Sequence, residues 1–203
     1  MLSSSGTDSW GSANPGLTPW EVLDSREIFV ADPWIKLSVD QVLLPEGRIV
    51  DDYYQIKLTD YAVVFAQTAQ GNVLALRLYK HGVGKVCLVL PAGSVEAEEQ
   101  PLASAQRELL EETGYCSDDW EYLGSYVVNG NYGCGQAHLF VARNAQQIAE
   151  PDSGDLETME VILMRPAEIL EAVRQGKVAG LGTVAAIALA MNPGFAARAI
   201  TED

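Results

Sequence analysis

Residues 93–115 decide the fold, and they read GSVEAEEQPLASAQRELLEETGY. Pro101 stands where the first turn of a helix would begin, and Gly114 stands where a left-handed residue would end it. The segment from Pro101 to Thr113 is therefore predicted to form a helix. Its predicted core stripe recurs at three- or four-residue spacing and consists of Leu102, Ala105, Leu109 and Thr113.

Three carboxylates share a face of this predicted helix, because Glu108, Glu111 and Glu112 fall within an arc of about 100°. We expect that face to lie opposite the apolar stripe. Like charges repel unless a cation neutralises them, and all-oxygen ligands suit a hard ion such as Mg²⁺ or Mn²⁺. Arg107 precedes Glu111 by four residues, so an ion pair between them is predicted. Taken alone, this charged run is typical of a solvated helix face.

The whole spacing, from Gly93 through Glu99 and the charged run to Gly114, is too specific for chance. It resembles the Nudix box of the Nudix hydrolase superfamily, with Tyr115 where an aliphatic residue is more usual. The resemblance implies an α/β (α+β) Nudix fold, in which a mixed β-sheet is sandwiched between helices. It also implies hydrolysis of a diphosphate bond, with Mg²⁺ as the expected cofactor and Mn²⁺ as the alternative.

The resemblance also implies site residues. Glu111 and Glu157 are expected to be catalytic, together with Arg107 as their structural partner. Gly93 is expected to let the backbone turn towards the helix. The expected metal ligands are the Ala92 carbonyl, Glu108, Glu111, Glu112 and Glu157.

The similarity is closest to the ADP-ribose pyrophosphatase-like branch, which acts on nucleoside diphosphate sugars. The strand at Leu76–Gly84, the Leu90–Gly93 entry and the acidic segment Asp155–Val161 carry that similarity. In the acidic segment Glu157 is the preferred downstream carboxylate, and Asp155 and Glu160 remain alternatives. Two positions depart from the branch: Val89 replaces a glutamate, and a glycine-rich loop at 129–135 replaces a proline-containing one.

Substrate contacts are expected from the same comparison. Arg77 and Lys80 either contact phosphate or ribose or face solvent, and Tyr132 in the glycine-rich loop is expected to stack on a base. The predicted substrate-binding residues are Arg77, Lys80, Gly93 and Tyr132.

The rest of the chain predicts three segments. Residues 1–19 are poor in aliphatics and are expected to form a flexible tail. Residues 20–56 predict an N-terminal strand and hairpin region, a candidate dimer contact because the resembling branch often forms homodimers. Residues 57–203 are expected to form the Nudix hydrolase domain, with strands first and helices later.

Composition limits the partners. The chain of 203 residues has 13 Lys and Arg against 28 Asp and Glu, a formal charge of −15, which disfavours nucleic-acid polymers and anionic membranes. Three widely spaced cysteines favour a reducing cytoplasm, and no stretch has the length of a membrane span.

The sequence therefore predicts Mg²⁺-dependent hydrolysis of ADP-ribose to AMP and ribose 5-phosphate by a cytoplasmic homodimer. Another nucleotide sugar or a dinucleotide is an alternative substrate. A nucleotide-binding sensor without turnover is an alternative of a different class. A Nudix-fold isomerase or an RNA-cap hydrolase is disfavoured, because no large basic patch is visible.

Overall fold

A computed structural model describes residues 17–154, 156 and 158–195 of the chain. Most of the predicted tail lies outside these residues, as do Asp155 and Glu157. By its internal contacts the chain divides into two compact units, Met1–Lys57 and Leu58–Asp203. The division into a tail, an N-terminal region and a hydrolase domain stays a prediction.

The first unit is an antiparallel three-stranded sheet. Its strands, in chain order, are β1 (Glu21–Ala31), β2 (Ile35–Leu43) and β3 (Ile49–Lys57). A tight turn joins the last two strands, with Gly47 at φ 86° and its N–H donating to the Leu44 carbonyl at 2.9 Å. The predicted strand and hairpin region is thus a meander of three strands, the first of which begins at Glu21.

The second unit contains the remaining strands and the helices. The strands are β4 (Tyr61–Thr68), β5 (Val73–Lys80), β6 (Lys85–Val89), β7 (Ala92–Ser94), β8 (Tyr115–Cys116), β9 (Asp119–Asn129), β10 (Gly133–Gln147) and β11 (Glu160–Met164). The helices are α1 (Pro101–Thr113), α2 (Pro166–Arg174) and α3 (Leu181–Met191), followed by a 3₁₀ turn at Pro193–Phe195.

The sheet of the second unit is mixed. Strands β4 and β10 run parallel, whereas β9 pairs with β10, and β5 with β6 and β11, in antiparallel fashion. The short strand β7 pairs with the start of β4, with Gly93 opposite Ala62. The chain around Gly93, which was expected only to turn towards the helix, therefore joins the sheet for three residues before a loop leads to α1.

The central strand β4 has both faces buried, which explains its almost unbroken apolar sequence. Val63 and Phe65 pack into the core on the side of α2 and α3, and Ala62 and Val64 pack on the side of α1. The sheet therefore lies between α1 on one face and α2 with α3 on the other, as predicted. No helix among the described residues has the length and apolar character needed to cross a membrane.

Candidate active site

Helix α1 begins and ends as its sequence predicts. Pro101 occupies its first turn, and Gly114 adopts φ 75° after Thr113, with its N–H donating to the Leu110 carbonyl at 2.7 Å. A side chain at Gly114 would also collide with the neighbouring chain, since an added Cβ would lie 2.1 Å from the Ala149 carbonyl oxygen. The end of the helix is thus fixed both by its conformation and by a close contact.

The face that α1 buries differs from the predicted stripe. Ala105, Leu109 and Thr113 are fully buried, but Leu102 is 40% exposed. In the first turn the sheet is contacted instead by Ser104, whose hydroxyl donates to the Ser94 carbonyl at 3.1 Å. The contact face is shifted towards Ser104, so the prediction for Leu102 was wrong.

Glu112 lies within the buried stripe. It follows Ala105 by seven residues, which places it only about 20° away around the helix, and it is 5% exposed. Its Oε2 accepts a hydrogen bond from the Ala92 N–H at 2.8 Å. A buried carboxylate needs such a partner. The expectation that all three carboxylates lie opposite the stripe was therefore wrong for Glu112, and its spacing from Ala105 is the signal that predicts this.

Glu108 and Glu111 follow the same angular rule. They lie about 60° and about 120° from Ala105 around the helix, and their side chains are 12% and 41% exposed. The three carboxylates thus range from buried against the sheet to open to solvent.

Gly93 provides the space into which Glu108 fits. An added Cβ at Gly93 would lie 2.0 Å from both the carboxyl carbon and Oε1 of Glu108. The glycine was expected to let the backbone turn, but the constraint that the structure shows is this close approach of a side chain. Strand β7 and helix α1 therefore hold Glu108 directly over the backbone of Gly93.

Arg107 connects the acidic groups. Its Nε and Nη2 donate to the two carboxylate oxygens of Glu99, each at 3.1 Å, and its Nη1 donates to Glu108 at 2.6 Å and to Glu111 at 3.1 Å. The predicted pair with Glu111 is confirmed. Nη2 also donates to the Ser94 carbonyl at 2.9 Å, so one guanidinium joins the helix, the preceding loop and β7.

These contacts shift the pKa values of Glu99 and Arg107 in opposite directions. The side-chain hydrogen bond from Arg107 holds the pKa of Glu99 below its ordinary value. The same hydrogen bond, with those to Glu108 and Glu111, raises the pKa of Arg107. Both groups are therefore ionised at neutral pH.

The donor set suits a hard divalent cation in kind. Glu108, Glu111 and Glu112 supply carboxylate oxygens, and Arg107 neutralises only part of the acidic charge. Ala92, whose carbonyl is another predicted ligand, contacts Glu112 through its N–H. The oxygens of Glu108 and Glu111 share Nη1 of Arg107, which keeps these two carboxylates close together. Within residues 17–154, 156 and 158–195, however, no three Asp, Glu, His or Cys side chains are gathered as a ready-made metal group.

Arg77 lies on the other face of the sheet. It forms an ion pair with Glu160, its register partner on β11. On the same strand Val73 and Ala75, two and four residues before Arg77, pack into the core on the side of α2 and α3. Among the described residues, the polar contacts of Arg107 are with α1, the preceding loop and β7, and Arg77 is not one of its partners.

Arg77 also borders a cavity on that face of the sheet. The cavity has a volume of about 340 Å³ and is lined by Arg77, Val86, Cys87, Leu88, Ile162, Met164 and Lys177. Glu160, which the sequence offers as an alternative to Glu157 for the downstream carboxylate, is the residue that forms the ion pair with Arg77. The structure brings together the residues of the 93–115 stretch and leaves Arg77 and Glu160 apart from them.

The other predicted contacts are placed individually. Tyr132 is 47% exposed in the loop between β9 and β10, and Lys80 ends β5 opposite Lys85. Two further residues were not predicted: Ser104, which contacts the Ser94 carbonyl, and Asp60, which precedes β4. No short-range sequence pattern predicts these two residues, because their hydrogen-bond partners lie on other elements.

Comparison with known families covers most of the chain. Residues 57–180 match the family described as NUDIX domain. Residues 20–56 match the family described as nucleoside diphosphate sugar hydrolase N-terminal domain. The residues of the candidate site all fall within the first of these matches.

Individual proteins are similar at lower identity. The methanol dehydrogenase activator of Bacillus methanolicus is 28% identical over 154 residues, which is 75% of this chain and 83% of that protein. The ADP-ribose pyrophosphatase of Bacillus subtilis (strain 168) is 27% identical over 152 residues, 73% of this chain and 82% of that protein. A crystal structure of an ADP compounds hydrolase superposes with a TM-score of 0.74 at 15% identity, covering 88% of this chain and 96% of the other, which shows a common fold.

Proposed function

The chain belongs to the NUDIX domain family, and from this premise we propose that this hydrolase of diphosphate bonds cleaves ADP-ribose to AMP and ribose 5-phosphate with Mg²⁺. Water would supply the oxygen that bonds to one phosphorus, and the bond from that phosphorus to the bridging oxygen would break. The similarity to the ADP-ribose pyrophosphatase of Bacillus subtilis supports this substrate class.

One observation carries the proposal: helix α1 has three glutamates on one side, and two of them lie against residues of β7. Glu112 is held by the Ala92 N–H, Glu108 lies over Gly93, and Glu111 faces solvent on the same side of α1. The positive charge of Arg107 offsets only one of these three negative charges, so a bound divalent cation would offset the repulsion that remains.

The residues proposed to hold Mg²⁺ are the Ala92 carbonyl, Glu108, Glu111, Glu112 and Glu157. Bound Mg²⁺ would neutralise the diphosphate, polarise a phosphoryl oxygen and lower the pKa of the attacking water. Glu157 enters the proposal from its position in the sequence, since it lies outside the described residues. Mn²⁺ has the same preference for oxygen ligands and is expected to substitute.

Arg107 and Glu111 have separate proposed roles. Arg107 positions the carboxylates, because its guanidinium fixes Glu99 and contacts both Glu108 and Glu111. Glu111, the most exposed of the three helix carboxylates, is proposed to orient water or accept its proton. Glu157 is proposed to share that task.

Substrate recognition is proposed to involve Arg77, Lys80, Gly93 and Tyr132. Tyr132 is exposed enough to stack on adenine, and Gly93 lies at the carboxylates themselves. Arg77 is the weakest member of this set, because Glu160 already pairs with it on the other sheet face.

The decisive experiment incubates the purified protein with ADP-ribose, with and without Mg²⁺, and separates the products by chromatography. We expect AMP and ribose 5-phosphate only when the metal is present. Glu112→Gln should abolish cleavage, whereas Glu171→Gln, an exposed change on α2, should leave it intact. Full activity of Glu112→Gln would disprove the proposal.

A panel of other substrates separates the alternatives. ADP-sugars, other nucleotide sugars and dinucleotides are tested beside ADP-ribose, and the highest kcat/KM identifies the substrate. Ligand binding without any product, at every Mg²⁺ or Mn²⁺ concentration, would identify a nucleotide-binding sensor instead.

We also propose a cytoplasmic homodimer. The strand β1 exposes apolar side chains that a second copy would cover, including Val22, Phe29 and Val30, which are 58%, 53% and 44% exposed. The three cysteines are free thiols, which suits a reducing compartment. Sedimentation of wild type and Phe29→Glu would test the dimer: we expect the variant alone to sediment as a monomer.

A further inference from the structure

The loop between β9 and β10 is tied at its first end by Asn129. The side-chain oxygen of Asn129 accepts hydrogen bonds from the N–H groups of Asn131 and Tyr132, each at 3.0 Å. This closes the turn upon itself and leaves the Tyr132 ring 47% exposed. The direction of Tyr132 therefore depends on how the whole loop is held against the rest of the unit.

The other end of the loop is held by Asp60. Its Oδ1 accepts the Gln136 N–H at 2.8 Å. The three residues at this end, Gly133, Cys134 and Gly135, all have left-handed backbone angles, with φ of 80°, 63° and 76°. Such a conformation is unfavourable for Cys134 and persists only where surrounding contacts impose it.

Close packing at Gly135 shows how tightly this end is held. An added Cβ would lie 3.0 Å from the Leu58 carbonyl oxygen, 3.1 Å from the Thr59 carbonyl oxygen and 3.2 Å from Oδ1 of Asp60. The loop end therefore lies directly against the residues that precede β4.

Asp60 also contacts the chain directly after β7, the strand that contains Gly93. Its backbone carbonyl accepts the Val95 N–H at 2.8 Å, two residues after Gly93. The second carboxylate oxygen lies 3.9 Å from Nε2 of His138. Asp60 thus connects the end of the β9–β10 loop, at Gln136, to the chain that follows Gly93, over which Glu108 lies.

We propose that Asp60 is a positioning residue for substrate specificity, which sets the place of Tyr132 relative to the carboxylates of α1. This inference rests on the proposed function, because it takes Tyr132 as the contact for the nucleotide base. The carboxylate acts through the Gln136 N–H, and the reacting phosphates do not touch it.

The first test compares Asp60→Ala with Asp60→Asn. Loss of a hydrogen bond to a charged acceptor should raise KM for ADP-ribose about tenfold in Asp60→Ala, with a smaller change in kcat. Asp60→Asn keeps an acceptor oxygen and should stay closer to wild type. The matched control is Glu121→Ala, which removes a half-buried carboxylate paired with Arg143 at the far end of the same β9–β10 hairpin.

A double-mutant cycle separates positioning from general damage. In a Tyr132→Ala background, Asp60→Ala should have little further effect on KM, because its effect passes through that ring. Hydrogen exchange measured on the free proteins should show faster exchange at residues 129–136 in Asp60→Ala. Faster exchange with an unchanged KM, or equal effects of Asp60→Ala with and without Tyr132, would overturn the proposal.

Failure of the proposed function gives a different pattern. If wild type cleaves none of the substrates, AMP binding is titrated by intrinsic fluorescence, and its Kd replaces KM in the same comparisons. Weaker AMP binding in Asp60→Ala, restored in Asp60→Asn, then supports the role of Asp60 without hydrolysis. An AMP affinity that is undetectable in wild type, or equal in all variants, refutes it.

Discussion

Arg107 and Arg77 both pair with glutamate, but their surroundings differ. The Arg107 side chain is 27% exposed and contacts three carboxylates and a backbone carbonyl, whereas Arg77 is 55% exposed and pairs with Glu160, itself 56% exposed. Exposed pairs contribute little because water screens them and side-chain entropy opposes them. The comparison shows that an arginine organises a site when several elements constrain it, and that its charge alone is insufficient.

Among the changes that test this comparison, the largest effect is expected from Gly93→Ala, which displaces a carboxylate that Arg107 contacts. The new methyl group would overlap the Glu108 carboxylate. Because that group ends a flexible side chain, the fold should persist while the carboxylate moves. A displacement of about 1 Å at a reacting centre lowers kcat by about 100-fold, to be measured by steady-state kinetics.

The control for this change is Gly194→Ala, where an added Cβ meets nothing within 4 Å. It should keep both activity and thermal stability. Wild-type kcat in Gly93→Ala would show that the precise position of Glu108 is unimportant.

An intermediate, pH-dependent effect is expected from Glu99→Gln, which removes the two-pronged contact with Arg107. The pKa of Glu99 is lowered in the folded protein, so its stabilisation is complete above the unfolded pKa of about 4.3 and is lost as pH falls through the folded pKa. Urea denaturation should show wild type more stable than Glu99→Gln at neutral pH, with the difference shrinking below about pH 4.

Glu98→Gln is the neighbouring control, since Glu98 is exposed. Its free energy of unfolding should differ little from wild type across the same pH range. A stability difference for Glu99→Gln that stays constant into acid would refute the linkage.

The smallest effect is expected from Arg77→Ala. Loss of an exposed pair should lower the free energy of unfolding by no more than about 1 kcal/mol, as measured by urea denaturation. The KM of the same variant for ADP-ribose tests whether Arg77 binds the substrate. A tenfold increase would place Arg77 in substrate binding, and an unchanged value would remove it from the proposed set.

Local sequence signals predicted much of the site. Pro101 and Gly114 fix the bounds of α1, and the four-residue spacing of Arg107 and Glu111 predicts their pair, because these features depend on neighbours in the same helix. The burial of Glu112 also follows from its seven-residue spacing from Ala105, which is buried against the sheet. The family resemblance, carried by the same stretch, supplied the mixed sheet between helices.

Long-range contacts could not be predicted in this way. The approach of Glu108 to Gly93, the bond from Ala92 to Glu112 and the pairing of Arg77 with Glu160 all join separate elements. Sequence spacing within an element does not specify which surfaces meet. The same reason explains why Asp60, which contacts both residue 95 and residue 136, was not predicted.

The end of α1 has a consequence for protein engineering. The Asp152 N–H donates to the Glu111 carbonyl at 2.8 Å, and Glu160 begins β11, so residues 153–159 start and finish at fixed points. Segments of other lengths or compositions, grafted between these points, would leave the helix carboxylates in place. The chain thus offers a scaffold in which the segment between Asp152 and Glu160 can be exchanged as a cassette, while the carboxylates of α1 keep their positions.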